Sequence, residues 1–164
     1  MRAVADAGPI IHLSWINLLS VLPRLCEEVT LASAVEREVM TARPEAPGIE
    51  AIRMALSDGW LHVRPIHDVA AAAQIQAVNG LDRGESETIV LFRETDADIV
   101  LMDDRRARLY AVREGLVITG TIGVLRLARD HGLISSVPLQ LAKLRSRGFR
   151  ISASLAHLIE EEEA

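Results

Sequence analysis

Residues 99–111 read IVLMDDRRARLYA, and this stretch decides the fold that we predict for the chain. Its first four residues are apolar and include no turn former, which is typical of a parallel strand buried on both faces. Two aspartates, Asp103 and Asp104, follow at once, and a pattern with helical spacing continues to Glu114. The stretch therefore predicts a buried strand that passes through two carboxylates into a helix.

The pair of carboxylates after this strand points to a bound cation. Adjacent carboxylates at the end of a buried strand are destabilising, because desolvation and mutual repulsion both oppose their charges unless a cation lies among them. In open α/β sheets the carboxyl ends of the strands are also where ligands bind. We therefore predict a cation site at Asp103 and Asp104, whose other ligands should follow other strands.

Apolar segments alternate with helical patterns along the rest of the chain, which indicates an α/β fold with a parallel sheet. The predicted strands are residues 3–5, 29–32, 61–63, 99–102 and 116–119. The predicted helices are residues 10–22, 34–40, 49–56, 67–78, 85–94, 105–114, 122–130, 139–146 and 152–163. Helix 10–22 is expected to follow a turn at Ala7–Pro9 and to close at Pro23, and residues 43–48 are expected to form a loop. We expect a three-layer α/β/α sandwich with about five parallel strands.

Composition limits the class of protein. A chain of 164 residues suffices for one domain with a real core and is too short for two ordinary ones. The net charge of -5 does not mark the whole chain as nucleic-acid binding, although it says nothing about a local cleft. The single cysteine, Cys26, excludes an internal disulfide, and no apolar run approaches the length of a membrane span. These features predict a cytoplasmic protein that does not enter a membrane.

Acidic residues lie where predicted strands end or where helices begin near them, at Asp6, Glu38, Glu85 and Asp104. Hydrolysis of a phosphodiester needs a water activated at neutral pH and a means of offsetting charge on the pentavalent phosphate. Carboxylates that hold one or two Mg²⁺ or Mn²⁺ ions supply both. Each acid alone is also compatible with an N-cap or a solvated charge, and no spacing rule joins the four into one site.

The order and surroundings of these acids resemble those of PIN-domain nucleases. The closest resemblance is to a branch of uncharacterised prokaryotic proteins, many of them encoded near toxin–antitoxin genes. The segments that carry it are VADAGPIIHLSWINLLSVLP, VTLASAVEREVM, LDRGESETIVLF, IVLMDDRRARLYAVREGLVITGTIGVL and LRSRGFRIS. They extend from Val4 to Ser152, which implies a PIN-like nuclease domain over residues 1–152 and a C-terminal helix with an acidic tail over residues 153–164.

The resemblance implies metal-dependent cleavage of RNA that leaves a 5′-phosphate and a 3′-hydroxyl. It assigns catalysis and the binding of Mg²⁺ or Mn²⁺ to Asp6, Glu38, Glu85 and Asp104, and Asp103 is expected to serve as an additional metal ligand. It also implies that the protein acts as a toxin, pairs with an antitoxin protein and forms a homodimer.

Basic residues next to the last acids are expected to contact the phosphates of a nucleic acid, since such contacts carry most of the affinity. The candidates are Arg105, Arg106 and Arg108, together with Thr121, which opens a later helix and could bind a phosphate there. A second and weaker basic group is Lys143, Arg145, Arg147 and Arg150. The five histidines show no metal-binding spacing and no paired nucleophile, so we predict structural roles for them.

Several positions depart from the PIN pattern and leave alternatives open. Ala7 and Gly8 stand where many PIN domains have Ser or Thr, and Met102 stands where many have a hydroxyl residue before the last aspartate. Glu85 replaces the more common Asp. These departures favour an alternative in which the domain binds nucleic acid or a partner without cutting. A phosphate-receiving regulator is a third alternative, but the only lysine is Lys143, which does not follow the last strand.

Overall fold

Parallel strands form the centre of the computed structural model, which describes residues 1–41 and 47–162. In chain order the strands are β1 (Arg2–Ala5), β2 (Glu28–Ala32), β3 (Leu61–Arg64), β4 (Ile99–Leu101) and β5 (Ile118–Thr119). They lie side by side in the order β3-β2-β1-β4-β5, and each neighbouring pair is parallel. The chain builds the sheet outward from β1 on one side and from β4 on the other, so the strand order reverses between β1 and β4.

Helices connect the strands and cover both faces of the sheet, which confirms the predicted three-layer α/β/α fold. They are α1 (Ala7–Trp15), α2 (Leu22–Leu25), α3 (Ser33–Thr41), α4 (Ile49–Ser57), α5 (Val69–Asn79), α6 (Arg83–Arg93), α7 (Arg105–Arg113), α8 (Thr121–Asp130), α9 (Val137–Ser146) and α10 (Ala153–Glu161). Within residues 1–41 and 47–162, none of these helices combines the length and apolar character needed to cross a membrane.

Strand β4 shows why the sheet is covered on both faces. Val100 and Met102 belong to one buried apolar cluster, whereas Leu101 between them belongs to the other. Successive side chains of a strand point to opposite faces, so each face of β4 contacts its own layer of helices. An apolar run without alternation is therefore the expected sequence of this strand.

The segment between β1 and β2 differs from the prediction of one helix over residues 10–22. Ala7, Gly8 and Pro9 are the first turn of α1, and α1 ends at Trp15. Asn17 has a φ of 58°, and a 3₁₀ turn over Leu19–Val21 leads into α2. Pro23 lies in the first turn of α2. Backbone N–H groups in a first turn form no hydrogen bond within the helix, so a proline, which lacks this group, is tolerated there. Pro23 therefore opens a helix, and the prediction that it closes one was wrong.

The other predicted elements have the predicted type, and their ends differ by one or two residues. The predicted loop over residues 43–48 lies mostly outside the described residues, and its last residue, Gly48, precedes α4 with a φ of 88°. At the other end, α10 packs on α9 and buries Ala156 and Ile159. The acidic tail beyond residue 162 lies outside the described residues, and the domain boundary at residue 152 stays a prediction.

Candidate active site

The carboxyl ends of β1 and β4 bring two of the predicted acids to one edge of the sheet. Ala5 pairs with Leu101, and the backbone N–H of Asp6 donates to the carbonyl of Leu101 at 2.9 Å. Asp6 is the N-cap residue of α1, and Asp104 is the N-cap residue of α7. This edge lies where the strand order reverses, which is the usual ligand-binding position in an open α/β sheet.

The other two predicted acids come from helices α3 and α6, which pack against each other. A Cβ placed on Gly84 would lie 2.9 Å from Oε2 of Glu38, so a glycine at the start of α6 allows this close approach. Glu85 follows directly. The structure brings together all four predicted acids in one open cleft of about 910 Å³, lined by Asp6, Glu38, Glu85 and Asp104.

Asp82 is a further carboxylate in the same cleft, and it was not among the residues predicted from the sequence. Its Oδ1 accepts a hydrogen bond from the backbone N–H of Glu85 at 2.8 Å, and Oε2 of Glu85 accepts one from the backbone N–H of Asp82 at 2.9 Å. The two residues form a capping box at the start of α6. An aspartate three residues before a glutamate is typical of a capping box, and this spacing was the signal in the sequence that could have identified Asp82.

Burial and neighbouring negative charges raise the pKa values of Asp6, Glu38 and Glu85. Burial raises the pKa of Asp6 to about 8, and the charges of Asp82, Glu38 and Glu85 add to this shift. Burial also raises the pKa of Glu38 and of Glu85, and the charge of Asp82 contributes to both. Within residues 1–41 and 47–162, none of these carboxylates forms an ion pair with an arginine or lysine. The cluster therefore carries negative charge that a cation would offset.

The donor atoms of this cluster fit a hard divalent ion, because they are all carboxylate oxygens. The residues that could hold such an ion are Asp6, Glu38, Glu85 and Asp104. In the part of the chain that the structure describes, no three histidine, cysteine, aspartate or glutamate side chains lie close enough together to hold a metal ion as they stand. Ions such as Mg²⁺ keep several of their waters when bound by protein, so an open arrangement of acids remains compatible with them.

One oxygen of Asp104 is already used within the protein. Oδ1 accepts hydrogen bonds from the backbone N–H groups of Arg106 at 2.7 Å and Ala107 at 3.0 Å. This N-cap holds the carboxylate at the positive end of α7 and stabilises the first turn. The cap fixes the direction of Asp104 as the chain leaves β4.

Asp103 is held by α1 and α8. Its Oδ1 accepts from the backbone N–H of Thr121 at 2.7 Å, and its Oδ2 accepts from the Thr121 hydroxyl at 2.5 Å and lies 2.7 Å from Nδ1 of His12. Burial alone would raise the pKa of Asp103, but the hydrogen bonds from His12 and Thr121 outweigh it and lower the pKa. Metal binding by Asp103, as predicted, would compete with these hydrogen bonds.

The predicted nucleic-acid contacts divide into two groups. Arg105 and Arg108 line the cleft, although one nitrogen of Arg108 donates to the carbonyl of Met102 at 2.9 Å. Arg106 lines a neighbouring groove, and it donates to the carbonyl of Gly80 at 3.0 Å. Thr121 is fully buried, and its N–H and hydroxyl both donate to Asp103. The structure therefore brings Arg105 and Arg108 to the cleft and Arg106 to an adjoining groove that Glu85 and Asp104 also line, whereas Thr121 is buried beneath the surface.

Residues predicted to be structural, or to be weak candidates for binding, also line the cleft. Arg150, from the weaker basic group, lies there together with Arg126, which was not identified. His12 lies there as well, with its ring edge-on to Trp15 at a centroid distance of 5.1 Å and to Phe149 at 4.7 Å. Nothing in the local sequence could have found His12 or Arg126, because their neighbours in the cleft come from distant segments.

Comparison with known protein families identifies a relationship that covers nearly the whole chain. A family model described as PIN domain matches residues 2–162, which include all the strands of the sheet and helix α10. No curated protein matches the chain. The matched residues include every acid of the cleft described above.

Proposed function

Because the chain belongs to the PIN-domain family, whose members are generally nucleases, we propose that it is a metal-dependent endoribonuclease. The observation that carries this proposal is the meeting of four acids from distant segments in one cleft, without an arginine or lysine paired to them in the described residues. Protein interiors rarely keep such charges together unless a cation or a reaction requires them.

The acids that would hold Mg²⁺ or Mn²⁺ are Asp6, Glu38, Glu85 and Asp104. When bound there, such an ion supplies an activated water and offsets the charge that develops on the phosphate. The capping interactions at Asp104 and Glu85 orient these two carboxylates before any ligand arrives. Asp103 lies beside Asp104 and acts in this proposal by holding His12 and α8 in place.

The substrate strand is bound by arginines at the rim of the same cleft. Arg105 and Arg108 come from the start of α7, and Arg126 and Arg150 come from α8 and from the segment before α10. Guanidinium groups bind phosphate oxygens well, so these four residues could hold the backbone on either side of the cleaved bond. These arginines place positive charge at the rim of a cleft whose acids a bound cation would offset, and this local distribution could let a chain with a net charge of -5 bind RNA.

A manganese-dependent cleavage assay on structured RNA tests the proposal. We expect the parent protein to cut and Asp6→Asn and Asp104→Asn to lose that activity, since each removes a charged ligand without changing side-chain size. Asp58→Asn makes the same chemical change at an exposed position outside the cleft and should cut like the parent. If the parent shows no activity that Asp6→Asn removes, the proposal is wrong.

A domain that binds nucleic acid or a partner without cutting is the second candidate function. The absence of a hydroxyl group at Ala7, Gly8 and Met102 favours this second candidate. Ala7 and Gly8 line the cleft, and Met102 is fully buried. This candidate predicts that the parent binds RNA with the same affinity with and without Mn²⁺ and never cuts it. The cleavage assay therefore separates the two functions.

We extend the proposal to the biological role that the family resemblance implies. The chain acts as the toxin of a toxin–antitoxin pair, binds an antitoxin protein and forms a homodimer in the cytoplasm. The only cysteine, Cys26, is buried and leaves no internal disulfide to form, which supports a reducing compartment.

A further inference from the structure

His12 lines the cleft but has no part in the metal chemistry proposed above. It lies on α1, and its side chain is about 20% exposed. Trp15 and Phe149 contact its ring edge-on, and Nδ1 lies 2.7 Å from Oδ2 of Asp103. The ring is therefore fixed in orientation by contacts on several sides.

Asp103, which orients His12, is itself held in place. Thr121 donates to both of its oxygens, at 2.7 Å from the backbone N–H and at 2.5 Å from the hydroxyl. Two glycines make room for the carboxylate, because a Cβ on Gly120 would lie 2.6 Å from Oδ1 and one on Gly8 would lie 3.3 Å from Oδ2. The carboxylate can thus move little without breaking hydrogen bonds to α8.

This arrangement decides which ring nitrogen of His12 carries hydrogen. A carboxylate only accepts hydrogen bonds, so the hydrogen of the neutral ring lies on Nδ1, which faces Asp103. Nε2 then has a free lone pair and acts as an acceptor. Within residues 1–41 and 47–162, Nε2 has no hydrogen-bond partner from the protein.

The backbone of a nucleic acid offers few donors to such an acceptor. Phosphate oxygens only accept hydrogen bonds, and the arginines of the cleft are suited to them, namely Arg105, Arg108, Arg126 and Arg150. The ribose 2′-hydroxyl is the one donor on the sugar–phosphate backbone of RNA, and DNA lacks it. We propose that Nε2 of His12 accepts a hydrogen bond from a ribose 2′-hydroxyl of the bound strand, so that the cleft selects RNA over DNA.

This inference rests on the proposed function, and a 2′-deoxy scan tests it separately. Single 2′-deoxynucleotides are placed in turn along a short RNA, and binding is measured by fluorescence anisotropy in EDTA, so that no strand is cut. We expect one position at which the deoxy substitution weakens binding by about fivefold, the usual effect of one lost hydrogen bond. In His12→Phe, which keeps a ring against Trp15 and Phe149, the loss at that position should disappear.

Two further variants separate recognition by Nε2 from a structural role of the ring. Asp103→Asn presents an amide that donates to Nδ1, so the hydrogen of His12 moves to Nε2 and the acceptor is lost while the ring remains. The position-specific effect should disappear in this variant too. His131→Phe changes an exposed histidine outside the cleft and should keep the parent's effect.

The outcomes distinguish this inference from the proposed function. The inference is overturned if the parent binds RNA and no single 2′-deoxy substitution weakens that binding. It is also overturned if the position-specific loss of binding persists in His12→Phe. In either case, manganese-dependent cleavage that Asp6→Asn abolishes leaves the proposed function standing. A parent that binds no RNA at all overturns the inference, and absent cleavage then overturns the nuclease as well.

Discussion

Asp6 is a buried carboxyl group whose ionisation opposes folding when no cation is present. It is 7% exposed, and burial raises its pKa to about 8, well above the value of 3.8 that it would have in an unfolded chain. Between these two pH values the folded protein keeps a proton that the unfolded chain has released. The contribution of Asp6 to the free energy of unfolding therefore falls as pH rises from about 4 to about 8.

We expect Asp6→Asn to be more stable than the parent at pH 8 in EDTA, because an amide of the same size has no charge to bury. Each tenfold difference in proton affinity corresponds to about 1.4 kcal/mol, and the pKa of Asp6 is raised from 3.8 to about 8. We therefore expect the free energy of unfolding of the variant to exceed that of the parent by about 2 kcal/mol or more. Urea denaturation at pH 4 and pH 8 measures it, and the gain should vanish at the lower pH. Asp58→Asn should follow the parent at both pH values, and a destabilised Asp6→Asn at pH 8 would contradict the account.

At the scale of the elements, the junction of β5 with α8 is packed directly against the end of β4. Gly120 is the N-cap residue of α8, and its backbone angles are within reach of any residue, with a φ of -126°. A Cβ there would lie 2.6 Å from Oδ1 of Asp103 and 3.1 Å from the carbonyl oxygen of Met102. Glycine is required at this point by lack of space and not by backbone conformation.

Gly120→Ala should therefore destabilise the protein by about 1–3 kcal/mol, because the start of α8 must move away from β4 or Asp103 must lose its hydrogen bonds. Gly8→Ala is the matched comparison, since its Cβ meets Asp103 at 3.3 Å and the helix propensity of alanine offsets that crowding. Urea denaturation of both variants checks the expectation. Equal stability of Gly120→Ala and Gly8→Ala would show that the junction is looser than the distances indicate.

At the scale of the whole molecule, the cleft couples folding to the binding of a divalent ion. The acids that would hold the ion come from α3, α6 and the ends of β1 and β4, and an unfolded chain does not bring them together. An ion that binds only the folded state stabilises it by mass action. Since Asp6 must release its proton to bind, the apparent affinity for the ion should rise with pH up to about 8.

Mn²⁺ at about one hundred times its dissociation constant should stabilise the parent by about 2.7 kcal/mol at pH 8. For a domain of this size, the midpoint of thermal unfolding should rise by about 5–10 °C. Asp104→Asn, which loses a ligand, should respond much less, and EDTA should reverse the shift in the parent. The same response in Asp104→Asn as in the parent would mean that the ion binds elsewhere.

Local sequence patterns were enough to predict the fold class, and they pointed to a candidate site at the ends of β1 and β4. The apolar run before Asp103 and Asp104 is a local pattern, and such a pattern suffices for a strand buried on both faces. The alternation of strands and helices, which is local too, led to the parallel sheet. The family resemblance then assigned roles to Asp6, Glu38, Glu85 and Asp104, and these roles stay proposals.

The contacts between distant side chains became known only from the folded chain. The partners of Asp103 lie 91 residues before it, at His12, and 18 residues after it, at Thr121. Three further features could not be predicted from local sequence either. They are the hydrogen bond from Arg106 to Gly80, the position of Asp82 in the cleft and the end of α1 at Trp15. Local pattern sets the type of an element, whereas contacts between distant residues depend on strand order and helix packing, which no short stretch of sequence encodes.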